Sequence, residues 1–543
     1  MARPDRSRIN TRAPGAPGQT GGGDKARAKQ LCERYKRALT DRRKVEHLWN
    51  EVIDYTMPHR VGTLDSGETD RRTDLIFDET AVVGADELVA QLVDGLTPAF
   101  SDIFRMSPGP RFPEALRAPN IQRELDEIQA YLHTVLRQSN FQAEMQEYYY
   151  DLIIGTGNLA VWDGGKPGKI EFQAQSLTQL AIDRGPGDSV DGRFRERPVQ
   201  LRHLKAEWPK ATLSAELQQR LKHKDTDSVQ VIESFTRDLK RKDTEVWRYE
   251  VVVKDTEDVI FADDIEGDGS QPIITTRWSK APSDLYGRGP LMRVLPAIKT
   301  ANFLIELTLE NAQMAIGSMW LYDDDGVINP DTITMEPGAW IPRRKGSSVE
   351  PLTSQGRFDI SSMSLEEMRG NIRRGLFLED YDRGGKTPIS ASEAVFRKQD
   401  NNRRMAAAFG RFQAELIFPL IRRVVHILRK QGAIELPKLD GQEIDLQVVS
   451  PLAQAQQFQD VEAFMGWAGA VGQAYGPESV SLLSKQEEVA AWLAQKHGMP
   501  AHLVRTQREL AQRMKQVADG MNQLPTDENG APQIPNLKPR QSL

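Results

Sequence analysis

Apolar residues recur every three or four positions between residues 26 and 55, at Leu31, Tyr35, Leu39, Val45, Leu48 and Val52. That period puts them on one face of a helix. Met57-Pro58 ends it, because a residue before proline is pushed out of the helical region. The same reading predicts a helix over 80–96 and another over 120–154 with a break near Asn140. Gly155-Thr156-Gly157 then turns the chain into a different pattern. Residues 158–280 read mainly as strands: Val229, Val231 and Glu233 alternate with residues of the opposite face, and 246–253 and 273–278 are rich in β-branched and aromatic side chains. A helical insertion is expected near 205–222.

From Gly289 the helical period returns. Leu291, Val294, Leu295, Ile298, Ala301, Ile305, Leu309, Ala312 and Ile316 form one apolar stripe. A helix of that length spans about 40 Å, which suits a strut between two bodies, with Pro296 bending it near its start. Residues 318–361 are broken by Gly338, Pro342 and Gly346, with Asp323-Asp324-Asp325-Gly326 as a turn, and read as a small strand-rich lobe. A helix over 364–379 follows, then the Gly-rich run Tyr381-Asp382-Arg383-Gly384-Gly385-Lys386-Thr387-Pro388. A long helix over 392–431 comes next, kinked at Pro419, and 451–520 is helical with breaks at Gly476-Pro477 and Gly498-Met499-Pro500. There is no internal repeat and no regular strand–helix alternation, so the fold class is α+β.

The 543 residues predict three or four structural units. The single cysteine, Cys32, excludes an internal disulfide and a cysteine-rich zinc site. Residues 1–24 and 521–543, rich in Gly and Pro, are expected to be disordered. No signal core and no run of 18 apolar residues is found, so no membrane association is expected.

The net charge of -6 argues against a protein that binds nucleic acid over its whole surface. Charge is nevertheless uneven: residues 361–430 carry 14 Lys and Arg against 8 Asp and Glu, whereas 321–360 carry 4 against 7. The basic stretch includes Arg369, Arg373, Arg374, Arg383, Lys386, Arg397, Lys398, Arg403 and Arg404. For any one of them a salt-bridged helix surface is the plainer reading; as a group they are candidates for phosphate contact.

Templates for catalysis fail one by one. Gly385-Lys386-Thr387 lacks the glycine a phosphate loop needs five positions earlier, where Asp380 stands, and Pro388 follows the threonine. Consecutive Asp323, Asp324 and Asp325 seldom converge on one ion. The eight histidines form no H-E-x-x-H pair, and no G-x-S-x-G elbow is present. Gly287-Arg288-Gly289-Pro290 is a turn without dinucleotide-loop spacing. No catalytic residue, metal or cofactor is expected.

Several stretches, in order, resemble the portal, or head-to-tail connecting, proteins of short-tailed double-stranded-DNA phages of the podovirus type. They are Asp78-Glu79-Thr80-Ala81, the run from Leu92 to Pro98, Gly155-Thr156-Gly157-Asn158, Arg277-Trp278, Tyr286-Gly287-Arg288-Gly289-Pro290 and Leu295-Pro296-Ala297-Ile298-Lys299-Thr300. The resemblance covers about 25–450. It implies a ring of twelve subunits at one capsid vertex that passes non-specific double-stranded DNA. It also implies docking of a terminase large subunit and then of tail adaptor proteins, beside major capsid and scaffold proteins.

Carried onto this chain, the resemblance implies a wing at 25–288 with a return at 432–455, stem helices at 289–317 and 363–380, and a clip at 318–362. It implies a tunnel loop at 381–391, a long helix at 392–431 and a crown at 456–520. Arg369, Arg373, Arg374, Arg383 and Lys386 become the candidates for the DNA-facing channel, and Arg343, Arg344 and Lys345 for tail or terminase contact. Clip strands near 349–352 are expected to pair between subunits. The rival readings are another structural virion protein, such as a scaffold or capsid subunit, and a DNA-processing enzyme.

Overall fold

The computed structural model describes residues 25–60, 76–108, 119–241, 244–282, 284–317, 320–324, 340–344, 350–351, 358–378, 405, 408–435, 444–448, 451–484, 489–490 and 492–493. The chain divides into two units, one up to Pro451 and one from Leu452.

The first unit is α+β. It opens with α1 (Lys25–Thr56) and α2 (Thr80–Leu96), then strand β1 (Phe104–Pro108) and helices α3 (Pro119–Gln138) and α4 (Phe141–Ile154). The expected break at Asn140 is the gap between α3 and α4. Strands β2 (Thr156–Asp163) and β3 (Ile170–Gln175) pair with β9 (Ile273–Arg277) in a three-stranded antiparallel sheet, order β3-β2-β9.

Between β3 and β9 lies a five-stranded antiparallel meander: β4 (Leu180–Arg184), β5 (Val190–Gln200), β6 (Ser228–Arg237), β7 (Val246–Val253) and β8 (Asp258–Glu266). The helical insertion falls between β5 and β6 as α5 (Leu201–Glu207) and α6 (Ala215–His223). Ser214 caps α6, accepting a hydrogen bond from the Leu217 N–H.

The meander is an inner layer. On one face, Ala28, Leu31, Cys32, Tyr35 and Ala38 of α1 pack on Ala181, Phe194, Ile232, Val252 and Val259. On the other, Phe235 and Tyr249 meet Trp162 of β2, with ring centroids at 5.8 and 6.3 Å. Both faces being covered, burial does not alternate along β6. Even Glu233 is 1% exposed, its carboxylate held by Arg197 Nε at 2.6 Å and the Tyr249 hydroxyl at 2.9 Å. A buried charge is tolerated because it is paired and hydrogen-bonded.

Helix α7 (Pro290–Gly317) runs unbroken through Pro296. Strands β10 (Trp320–Asp324), β11 (Trp340–Arg344) and β12 (Glu350–Pro351) form a small sheet, order β11-β10-β12, before α8 (Phe358–Gly375). One reading of this region changes: Asp323 and Asp324 lie in β10 rather than in a turn. Glu350 and Pro351 pair antiparallel with Leu321 and Trp320 of the same chain, which leaves β12 at the edge of this sheet.

A π-helical turn (Gln413–Ile417) precedes α9 (Phe418–Lys430), and β13 (Ile444–Val448) returns to pair with β1. The kink expected at Pro419 takes the form of that turn. In the second unit, α10 (Pro451–Tyr475) and α11 (Pro477–Leu483) meet at Gly476, as the Gly-Pro break predicts.

Candidate functional site: the root of the α7–α8 pair

Helix α7 leaves the body where two glycine-rich segments cross. The Trp278 N–H donates to the Gly155 carbonyl and the Gly289 N–H to the Ile154 carbonyl, each at 2.9 Å; the Gly287 N–H donates to Thr156 Oγ1 at 2.8 Å. Backbone touches backbone here. A Cβ on Gly155 would stand 2.3 Å from the Gly287 carbonyl oxygen, and one on Gly289 2.0 Å from that of Ile153. These glycines are needed for space, and the crossing fixes the direction in which α7 starts.

The pair is then clamped to the body. Gly375 at the end of α8 lies against Val294 at the start of α7, so the helices run antiparallel. Gly84 of α2 lies against Leu376 and Leu378. Asn302 Oδ1 accepts from the Phe77 and Asp78 N–H groups at 2.7 and 3.0 Å. Asp78 accepts from the Thr80 N–H at 2.7 Å, at the entry to α2, and from Arg369 Nε at 2.8 Å. One buried carboxylate therefore ties α2 to α8 beside α7. Lys299 of α7 forms an ion pair with Glu51 of α1.

Burial raises the Asp78 pKa, but hydrogen bonds from Thr80 and Arg369 outweigh it and hold the carboxyl below its ordinary value. A depressed native pKa contributes stability that is present above the unfolded value and lost as pH falls through the native one. Acidification below about pH 4 should therefore loosen this root. Asp78→Asn should remove that pH dependence and raise hydrogen exchange in 76–82 and 369–376 at neutral pH; unchanged exchange there would refute the clamp.

The structure distributes the sequence candidates unevenly. Arg369 is paired with Asp78, and Arg373 reaches Glu87 at 3.4 Å. Arg374 is exposed and bonds only locally in the contacts seen, to Asn371 at 2.9 Å and the Gly370 carbonyl at 3.2 Å. Arg343 and Arg344 lie in β11, in register with Asp323 and Asp324. Lys345, Arg383 and Lys386 lie outside the described residues.

Beyond the root the stripe loses cover, with Ile305 half-buried and Leu309 exposed, and the opposite face of α7 exposes Phe303 and Leu307. Leu291, Val294, Leu295, Ile298 and Ala301 are buried, whereas Phe303 is 57%, Leu307 38% and Leu309 52% exposed. In α8, Met363 is 78% exposed while Ile372 is buried. Each helix has a seated end and an unburied stretch.

Sequence reasoning missed Glu415. Its carboxylate takes the Arg277 N–H at 2.9 Å, Arg277 Nη2 at 2.7 Å and Arg277 Nε at 3.3 Å, joining the π turn to the end of β9. The quoted Arg277-Trp278 pair was a signal, but its acidic partner lies far along the chain. Among the described residues no cluster of three metal-ligating side chains occurs, and no helix is long and apolar enough to cross a membrane.

These features define a body that carries a rooted helix pair with a small sheet between the two helices in sequence. The chain belongs to the bacteriophage head to tail connecting protein family, whose match runs over residues 28–504. That family is defined by a connecting role rather than by a catalysed reaction.

Solved structures similar to the chain include the neck of an empty gene transfer agent particle computed with C6 symmetry, at 13% identity over 78% of this chain and 90% of that one, with a TM-score of 0.35. Another is the virion of the native particle, at 15% identity over 77% and 99%, with a TM-score of 0.31. A third is the native neck computed with C12 symmetry, at 13% identity over 72% and 99%, with a TM-score of 0.29. No curated protein matches. The family assignment rests on residues 28–504.

Proposed function

We propose that copies of this chain close into a ring, twelve in number, at one vertex of a phage-like capsid, and that double-stranded DNA is packaged and ejected through it. The observation that carries this reading is the exposure of large apolar side chains on two faces of α7, Leu309 on the stripe and Phe303 and Leu307 opposite it. A helix with a seated root and a bare apolar continuation needs a partner surface. A closed ring supplies one by setting a different face of the next subunit against it.

In this reading α7 and α8 are the stem, the β10–β12 region is the clip and the second unit is the crown. A terminase motor docks first and tail adaptors later, with Arg343, Arg344 and Lys345 at that contact. Since Arg369 and Arg373 have carboxylate partners in the chain, phosphate contact falls to Arg374, Arg383 and Lys386. Few contacts suit a conduit, because each neutralised phosphate adds affinity and DNA must slide. The β-rich block at 156–277 counts against a scaffold.

Electron microscopy of purified or scaffold-assembled protein tests the ring: closed annuli seen down the axis are expected, and monomers under every condition would refute it. In particles, Arg383→Ala with Lys386→Ala should leave rings intact and impair packaging or retention of DNA. A genome of normal length and normal retention would remove the loop from the mechanism.

A further inference from the structure

The π turn ahead of α9 has a local cause. Pro419 has no N–H to give the Glu415 carbonyl, and its ring would clash with that oxygen in a regular helix. The helix widens by one residue instead: the Phe418 N–H donates to the Gln413 carbonyl, five residues back. The Glu415 carbonyl, freed in this way, accepts from Thr276 Oγ1 at 3.0 Å.

Three successive residues at the end of β9 hold this arrangement. Thr276 takes the freed carbonyl, and Arg277 takes the Glu415 carboxylate. Trp278 packs its ring on Phe412 at 5.2 Å and on Phe377 at 6.0 Å. Phe377 is itself in the left-handed region, φ 59°, just past α8, where the Leu378 N–H donates to the Arg373 carbonyl to close the helix. That position favours glycine. Two unfavourable backbone states, a π turn that Pro419 favours over a kink only with its freed carbonyl satisfied and a left-handed phenylalanine, thus meet at one tripeptide. Such states persist only where their surroundings enforce them.

Helix α9 is fixed independently. Arg423 donates to the Val161 and Ser270 carbonyls, and His426 Nδ1 donates to the Asp268 carbonyl at 3.0 Å. Any change of register must therefore be taken up by residues 408–412.

We propose that Thr276, Arg277 and Trp278 form a latch that selects one of two registers for helical residues 408–412 on α9. Released, the extra residue of the π turn is absorbed and the helix instead kinks at Pro419. Residues 408–412 then rotate by about 100° and shift by about 1.5 Å. Phe412 leaves Trp278, and the support of Phe377 goes with it. The device lies within one chain and does not depend on the ring.

The test places spin labels on the full chain at Gly410→Cys and Gln219→Cys. Gly410 is exposed with nothing within 4 Å of an added Cβ, and Gln219 is exposed on α6. The unaltered latch should give one narrow distance. Glu415→Gln and Thr276→Val should each add a second distance in at least about a tenth of molecules, and Thr276→Ser should restore the single one. A single unchanged distance in both altered chains would overturn the proposal. Should either fail to fold, hydrogen exchange on the unaltered protein decides: amides of 409–417 should exchange at least tenfold faster than those of 421–428, and equal protection would overturn it.

Discussion

Gly289→Ala should lower the unfolding midpoint by about 5–10 °C, corresponding to about 3–5 kcal/mol. The added methyl would stand 2.0 Å from the Ile153 carbonyl oxygen and 2.5 Å from the Ile154 carbonyl. Both obstacles are backbone, so no side chain can turn aside to make room. The Gly289–Ile154 hydrogen bond would have to lengthen as the segments part, and the origin of α7 would move with it. Gly155→Ala should behave alike, its methyl meeting the Gly287 carbonyl. Gly466→Ala is the control: nothing lies within 4 Å, and alanine in a helix is preferred by about 1 kcal/mol. Melting of Gly289→Ala at the wild-type temperature would show that the crossing can open without cost.

Phe303→Asp combined with Leu307→Asp should abolish assembly and leave the subunit folded. Phe303 is mostly and Leu307 partly in solvent in the single chain, so the two changes should cost the subunit about 1 kcal/mol or less. Burying the remaining half of two such side chains against a neighbour is worth about 1.5–3 kcal/mol, a loss of roughly 10–10²-fold at every subunit contact of the ring. Sedimentation of the altered protein over a concentration series measures this. Rings forming at wild-type concentrations would move the subunit contact away from α7.

The contrast between the two halves of α7 marks what the sequence could reveal. The period of its apolar residues predicted its ends to within a residue, because Pro290 and Gly317 bracket a regular pattern. The same period gave no hint that cover stops near Asn302, since a stripe reads alike whether its partner lies in the same chain or another. Charge was legible only as a sum. The basic excess of 361–430 is real, yet the partner of Arg369 is Asp78, 291 positions away, and that of Arg373 is Glu87. A window of sequence holds one side of such a pair. Likewise Gly155 and Gly287 were visible as turn residues, but their mutual contact exists only once α4 and the segment before α7 cross.

The pairing of β1 with β13 sets an order of events during synthesis. Phe104 lies opposite Val448, and Pro108 opposite Ile444. At about 5–20 residues per second, β1 emerges from the ribosome on the order of half a minute before its only strand partner among the described residues. Until then its edge is a template for stray chains. A nascent polypeptide stalled before residue 444 would carry that open edge indefinitely, making chaperone demand greatest for chains cut short there.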